Sequence, residues 1–230
     1  MKYVLFIVTS TVEIGPNHRK TGYFFPEVAH PHHEFTQEGY TVDFATLKGG
    51  MPTADGYDAN DPLQQEFRDS KGFARLNNSR RLSEVDASLY DAVFIPGGLG
   101  PMVDMAQDAL VKKTVVEVVE RGQLLGAVCH GPVALLGAKL SNGKYLVDGK
   151  QISAFTDEEE KGYAIADVPF LLETALWEQG ARFTEASPWQ SLSVVDGLLV
   201  TGQNPASATA VALDMIKLLE AQPTTGSASN

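Results

Sequence analysis

The chain carries one cysteine, set among small residues: Gly126-Ala127-Val128-Cys129-His130-Gly131-Pro132. An apolar stretch over residues 123–128 leads into it, and Pro132 opens the next segment, so Cys129 stands where a strand meets a helix start. Ala127 and Gly131 give it the small-x-nucleophile-x-small spacing of a nucleophile elbow, where the chain closes on itself on both sides of a strained residue. Such a turn holds a side chain out at the C-terminal edge of a sheet, beside the amides of a helix N-terminus. Those amides and the helix dipole favour an anion; they lower a thiol's pKa and can cradle an oxyanion. Moving the pKa from about 8.5 to about 5.5 takes roughly 4 kcal/mol of preferential stabilisation of the thiolate. Cys129 is therefore expected to be an ionised nucleophile. The competing reading is a buried core cysteine, the usual state of a lone thiol.

Other residues carry weaker signals. The residue after an elbow nucleophile can lend its backbone N–H to an oxyanion hole while its ring packs aside. By itself His130 fits that role and a solvated helix-start histidine equally well. Ile95-Pro96-Gly97-Gly98-Leu99-Gly100 is a second strand-to-loop junction whose glycines allow close backbone approach. It is not G-x-G-x-x-G, and the chain has no P-loop lysine pattern, so no nucleotide phosphate cradle is expected. Glu27 follows Tyr-Phe-Phe-Pro, a setting that could desolvate a carboxyl and raise its pKa, but locally it reads as an ordinary first-turn glutamate. His30-Pro31-His32-His33-Glu34 lacks the H-E-x-x-H spacing and reads as a surface histidine cluster, with no metal site expected. The acidic run Asp157-Glu158-Glu159-Glu160 reads as a solvated helix start that could deliver one carboxylate to a histidine.

The elements that would position these groups alternate. Continuous apolar, β-rich runs at residues 3–8, 40–47, 92–96 and 123–128 suit strands buried on both faces, as in a parallel sheet. Helical stretches separate them, at 27–38 and 110–121. Beyond Cys129, residues 132–136 and 167–179 read as helices and 182–186 as a strand. Asp196-Gly197 between two apolar runs is a hairpin signal, and Asn204-Pro205 opens a last helix to about residue 222. The pattern predicts an α/β three-layer sandwich with a mainly parallel, flavodoxin-like sheet. One domain over residues 1–222 is expected, with the polar, Gly-rich stretch 49–90 as an insertion or lid and 223–230 as a frayed tail.

Composition narrows the partners. Among 230 residues, 18 are basic and 29 acidic, a net charge of −11 that repels nucleic acid and anionic membranes. The single cysteine suits a reducing compartment, and no stretch approaches a membrane span or a signal peptide, so a cytoplasmic location is expected.

In combination these motifs resemble the ThiJ/PfpI superfamily, with its class I glutamine amidotransferase-like fold, and within it the heat-shock-inducible chaperone and glutathione-independent glyoxalase III branch. The resemblance runs in order through Thr21-Gly22, Pro26-Glu27, His30-Pro31, Glu38-Gly39-Tyr40 and Val42-Asp43-Phe44. It continues through Pro96 to Gly100, Ala127 to Pro132, Phe155-Thr156-Asp157 with Glu160, Pro188-Trp189, and Val200 to Ser207. It implies that Glu27 faces the cysteine, that Cys129 and His130 are nucleophile and histidine, and that Glu160 completes a triad, with Asp157 as substitute. The amides of Gly98 and His130 would bind the oxyanion. The implied reaction converts a 2-oxoaldehyde such as methylglyoxal to a hydroxy acid through a cysteine hemithioacetal, without metal, nucleotide or glutathione. A homodimer is also implied. Competing readings are a cysteine-dependent deglycase or peptidase, and a stress-response chaperone or oxidant sensor.

Overall fold

Apolar runs with no wet face become the strands of one central sheet in the computed structural model, which describes residues 2–221. The expected tail at 223–230 lies outside them. In chain order the first elements are β1 (Tyr3–Val8), the short strands β2 (Glu13–Ile14), β3 (Arg19–Lys20) and β4 (Tyr23–Phe24), and α1 (Pro26–Gln37). Next come β5 (Thr41–Thr46), β6 (Ala54–Asp55), α2 (Pro62–Arg68), α3 (Lys71–Asn77) and β7 (Arg80–Arg81). Then follow β8 (Ala92–Ile95), α4 (Pro101–Asp104), α5 (Ala109–Glu120), β9 (Leu124–Val128) and a 3-10 turn (Gly131–Leu135). The chain continues through β10 (Gln151–Ile152), α6 (Asp157–Tyr163), α7 (Leu172–Glu178) and β11 (Arg182–Phe183). It closes with β12 (Ser193–Asp196), β13 (Leu199–Gly202) and α8 (Ala208–Ala221).

The seven-stranded sheet has the order β12-β13-β9-β8-β1-β5-β7, and every neighbouring pair is parallel except the β12–β13 hairpin. Period-2 alternation splits each central strand between two cores. Leu5 and Ile7 of β1 face one core with Val93, Ile95, Leu125 and the α5 residues Val111, Val115 and Val118. Val4, Phe6 and Val8 face the other, with Val28 and Phe35 of α1 and Val211, Met215 and Leu219 of α8. Phe6 is fully buried against Phe94, Phe44 and Phe35, with ring centroids 4.8, 5.4 and 5.9 Å away. Burying such a side chain contributes about 3 kcal/mol at the upper end. This is the expected three-layer α/β sandwich.

Within residues 49–90, α2 packs on α1, α3 packs on β5, and β7 pairs with β5 as the sheet's edge. The helices there are seven residues each, too short for a clear period. Three local expectations are corrected. The histidines of α1 are not a surface cluster. His30 Nε2 lies 2.7 Å from Asp61, His33 Nδ1 lies 3.3 Å from Glu66, and the His32 ring packs against Phe67 and Phe44. Burial pushes His32 down to about 4, with Arg75 and His33 adding to the effect. The helix expected at 167–179 begins only at Leu172, after Pro169. The strand expected at 182–186 keeps two residues, which pair with β10 outside the main sheet.

Candidate active site

Cys129 follows β9 directly and has φ 60°, in the left-handed region that a non-glycine residue rarely occupies. Such strain persists when the surroundings over-determine the backbone. Here the Cys129 N–H donates to the Gly202 carbonyl at 3.0 Å, and its carbonyl accepts from the Phe155 N–H at 2.9 Å. A Cβ on Gly131 would lie 2.3 Å from the Ile95 carbonyl oxygen, which is why that flank of the elbow must be glycine. The residues after it form the expected helical segment as a 3-10 helix, Gly131–Leu135.

The elbow carries the His130 ring toward the sulfur rather than aside. Nδ1 stands 3.3 Å from Cys129 Sγ, and Nε2 stands 2.6 Å from Glu160 Oε2. Both partners of this pair are buried, and the Phe155 ring packs against the imidazole at a tilt of 32°, with centroids 4.3 Å apart. Glu160 belongs to the first turn of α6, where a carboxylate also meets the helix dipole favourably. Asp157 does not substitute for it: its carboxylate caps the start of α7 through Thr174. Neither Glu159 nor Glu160 is solvated, contrary to the reading of the acidic run. They are 1% and 2% exposed, because each side chain finds its partners on other elements.

Glu27, in the first turn of α1, is fully buried and accepts the Gly97 N–H at 2.6 Å through Oε2. Burial pushes its carboxyl up to about 8, against the opposing hydrogen bonds of Gly97 and the Cys129 thiol. Oε1 has no hydrogen-bond partner among the described residues. Gly97 lies at the meeting point. A Cβ there would fall 2.8 Å from Glu27 Oε2, 2.8 Å from Cys129 Cβ and 2.7 Å from the His130 nitrogen. Gly98 has φ 88°, and the amides of Gly98 and His130 act on the Cys129 sulfur in the sense that lowers its pKa.

The thiol departs from expectation. Burial pushes Cys129 well up, Glu27 adds to the rise, and the two amides oppose it. Desolvation of a residue only 3% exposed outweighs the pull of the neighbouring amides. That direction favours the protonated thiol at neutral pH, with its sulfur 3.3 Å from His130 Nδ1.

A cleft holding about 70 Å³ of open space reaches the sulfur, room for a substrate of a few heavy atoms. Its walls are Phe24, Phe155, Tyr163, Trp189 and Pro205, with Glu27, Gly98, Cys129 and His130 at the base. The rings of Phe155, Tyr163 and Trp189 meet edge to face at 5.5–6.1 Å. The aromatic wall was not found from residue chemistry, because its members come from four separate segments. An aromatic residue in the polar stretch Ser187-Pro188-Trp189-Gln190 was the one available signal. Among the described residues, no group of three or more His, Cys, Asp or Glu is placed to hold a metal.

Residues 25–218 match the DJ-1/PfpI family. Glyoxalase 3 of Candida albicans is 30% identical over 96% of this chain and 99% of its own length. The glutathione-independent glyoxalase HSP31 of Saccharomyces cerevisiae is also 30% identical, over 95% of this chain and 98% of its own. A crystal structure of glyoxalase III from Candida albicans superposes with a TM-score of 0.85 at 28% identity, covering 94% of this chain and 97% of that one. The names of these relatives support a glutathione-independent glyoxalase, and so an enzyme, at the level of the family.

Proposed function

This chain belongs to the DJ-1/PfpI family, and we propose that it is a glyoxalase III-like enzyme converting 2-oxoaldehydes such as methylglyoxal to 2-hydroxy acids without glutathione. The observation that carries the proposal is the convergence of a strained, buried cysteine, a histidine 3.3 Å away backed by a carboxylate at 2.6 Å, and a fully buried glutamate in one small cleft.

The steps follow from the groups present. His130 takes the thiol proton as Cys129 Sγ bonds to the aldehyde carbon, and the developing oxyanion is held by the amides of Gly98 and His130. Return of that proton to the oxygen gives a neutral hemithioacetal. His130 then removes the hydrogen of the former aldehyde carbon while Glu27 gives its proton to the neighbouring carbonyl oxygen, forming an enediol. His130 protonates the second carbon and Glu27 recovers a proton from the first hydroxyl, leaving a 2-hydroxy thioester. Water, deprotonated by His130, opens it to the hydroxy acid and the free thiol. The net change adds one water to the oxoaldehyde and needs no external oxidant or reductant. Glu160 holds the imidazole in the tautomer that faces the sulfur and stabilises its cationic form.

The test is lactate formation from methylglyoxal in the absence of glutathione. Wild-type protein is expected to form it, while Cys129→Ala stays folded and forms none. Undiminished turnover in that variant overturns the proposal.

A further inference from the structure

Next to the carboxylate that faces His130 lies a second buried one that the reaction does not use. Glu159 is 1% exposed, yet both its oxygens are occupied. Oε2 accepts the N–H and hydroxyl of Thr156 at 3.1 and 3.0 Å, closing the capping box that starts α6. Oε1 faces away from that cap and accepts three donors from other segments. These are the Trp189 N–H at 2.7 Å, Asn204 Nδ2 at 2.8 Å and Gln203 Nε2 at 3.1 Å.

The three donors share a location. Trp189 and Pro205, which follows Asn204, both line the cleft above Cys129. Gln203 and Asn204 in turn hold the loop that carries Trp189, through Ala186 and the Gln190 carbonyl. Trp189 itself has φ 63°, a conformation a bulky residue keeps only when its backbone is tied down. The bond to Glu159 is the tie on its N–H. Its ring, half-exposed, stands edge-on to Phe155 and Tyr163.

We propose that Glu159 is a positioning residue that fixes Trp189 as one wall of the Cys129 cleft and so sets how well the non-reacting end of the substrate is bound. This deepens the glyoxalase reading and rests on it for its kinetic consequence. The Glu159 carboxylate makes no hydrogen bond to His130 or to the Glu160 carboxylate, so replacing it by glutamine leaves their contact in place. An apolar wall held by backbone ties also favours 2-oxoaldehydes whose substituent is small and apolar over polyhydroxylated ones.

The experiment uses Trp177→Phe as background, which removes the exposed second tryptophan and leaves Trp189 as the sole tryptophan, excited at the red edge where tyrosine does not absorb. Adding Glu159→Gln is expected to raise acrylamide quenching of Trp189 about twofold and the methylglyoxal KM about fivefold, with kcat within about twofold. The rate of Cys129 alkylation by iodoacetamide should not move. Trp189→Ala should raise KM similarly, and the double variant Glu159→Gln/Trp189→Ala should cost no more than Trp189→Ala alone. Unchanged quenching, an additive double variant, or slowed alkylation with a fallen kcat each overturns the proposal. If the wild type forms no lactate, the functional reading fails, while quenching and alkylation still report whether Glu159 holds Trp189. Should Glu159→Gln fail to fold, hydrogen exchange on the wild type decides. The Trp189 amide must be protected although its ring is half-exposed, and free exchange refutes the tie.

Discussion

Replacing Glu27 by glutamine tests the proton inventory of the site through folding stability, independently of turnover. Glutamine keeps the shape and retains a carbonyl oxygen for the Gly97 N–H, but it cannot titrate. In the wild type the buried carboxyl sits at about 8, against 4.5 for an ordinary glutamate. A group whose folded pKa is raised stabilises the fold below its unfolded pKa and loses that contribution as pH rises toward the folded value. The wild type should therefore lose stability relative to Glu27→Gln between pH 4.5 and 8. At about 1.4 kcal/mol per pH unit, the full swing is about 5 kcal/mol, an upper figure because Cys129 shares the site. Urea unfolding followed by circular dichroism at several pH values, wild type and variant side by side, reads this difference directly. Titrating groups that do not interact with Glu27 are common to both chains and cancel. A stability difference that stays flat with pH would mean that Glu27 is already ionised in the fold. The acid assigned to the enediol step would then have no proton to give. In the same variant, lactate formation should fall at least about 100-fold, the scale of a lost general acid.

Further outcomes bear on neighbouring groups. Because ionised Glu27 opposes formation of the Cys129 thiolate, kcat/KM should decline above about pH 8 in the wild type, as a pH–rate profile will show. Glu160→Gln should reduce kcat by about 10² or more at neutral pH while leaving KM nearly unchanged, since it removes the partner of His130 and no cleft wall. Gly97→Ala should abolish activity and lower stability by about 2 kcal/mol or more, read by thermal melting, because its methyl has no room among Glu27, Cys129 and His130. His32→Leu should weaken acid sensitivity: wild-type stability is lost as pH falls from 6.5 toward about 4, where the unfolded chain binds a proton that the packed ring refuses.

What the chain reveals by itself follows from how local each interaction is. Tyr3–Val8 and Leu124–Val128 could be read as buried parallel strands because both faces are apolar. The elbow could be read because closeness on either side of Cys129 demands small residues at fixed spacing. Glu27 could not be read from its surroundings. Its burial and its partner come from Gly97, 70 positions away in the chain, so the first-turn glutamate looked ordinary. The family resemblance identified its place, and the fold supplies the cause. Glu159 and Glu160 looked solvated for the same reason, their acceptors being met by donors on the 186–204 segment and on His130. The thiol expectation failed on a missing quantity: helix amides can be inferred from sequence, but the depth of the sulfur cannot.

The floor and the wall of the cleft differ in how freely they can change. Beneath the sulfur, a single methyl at Gly97 or Gly98 would strike backbone or reacting atoms, so that side tolerates no retuning. Phe24, Tyr163 and Trp189 line the same cleft from separate segments of the chain, none of them part of the elbow. A saturation library across this scaffold should split accordingly. Inactive clones will concentrate along the β8 loop, and clones with altered preference among aldehydes will come from the aromatic positions.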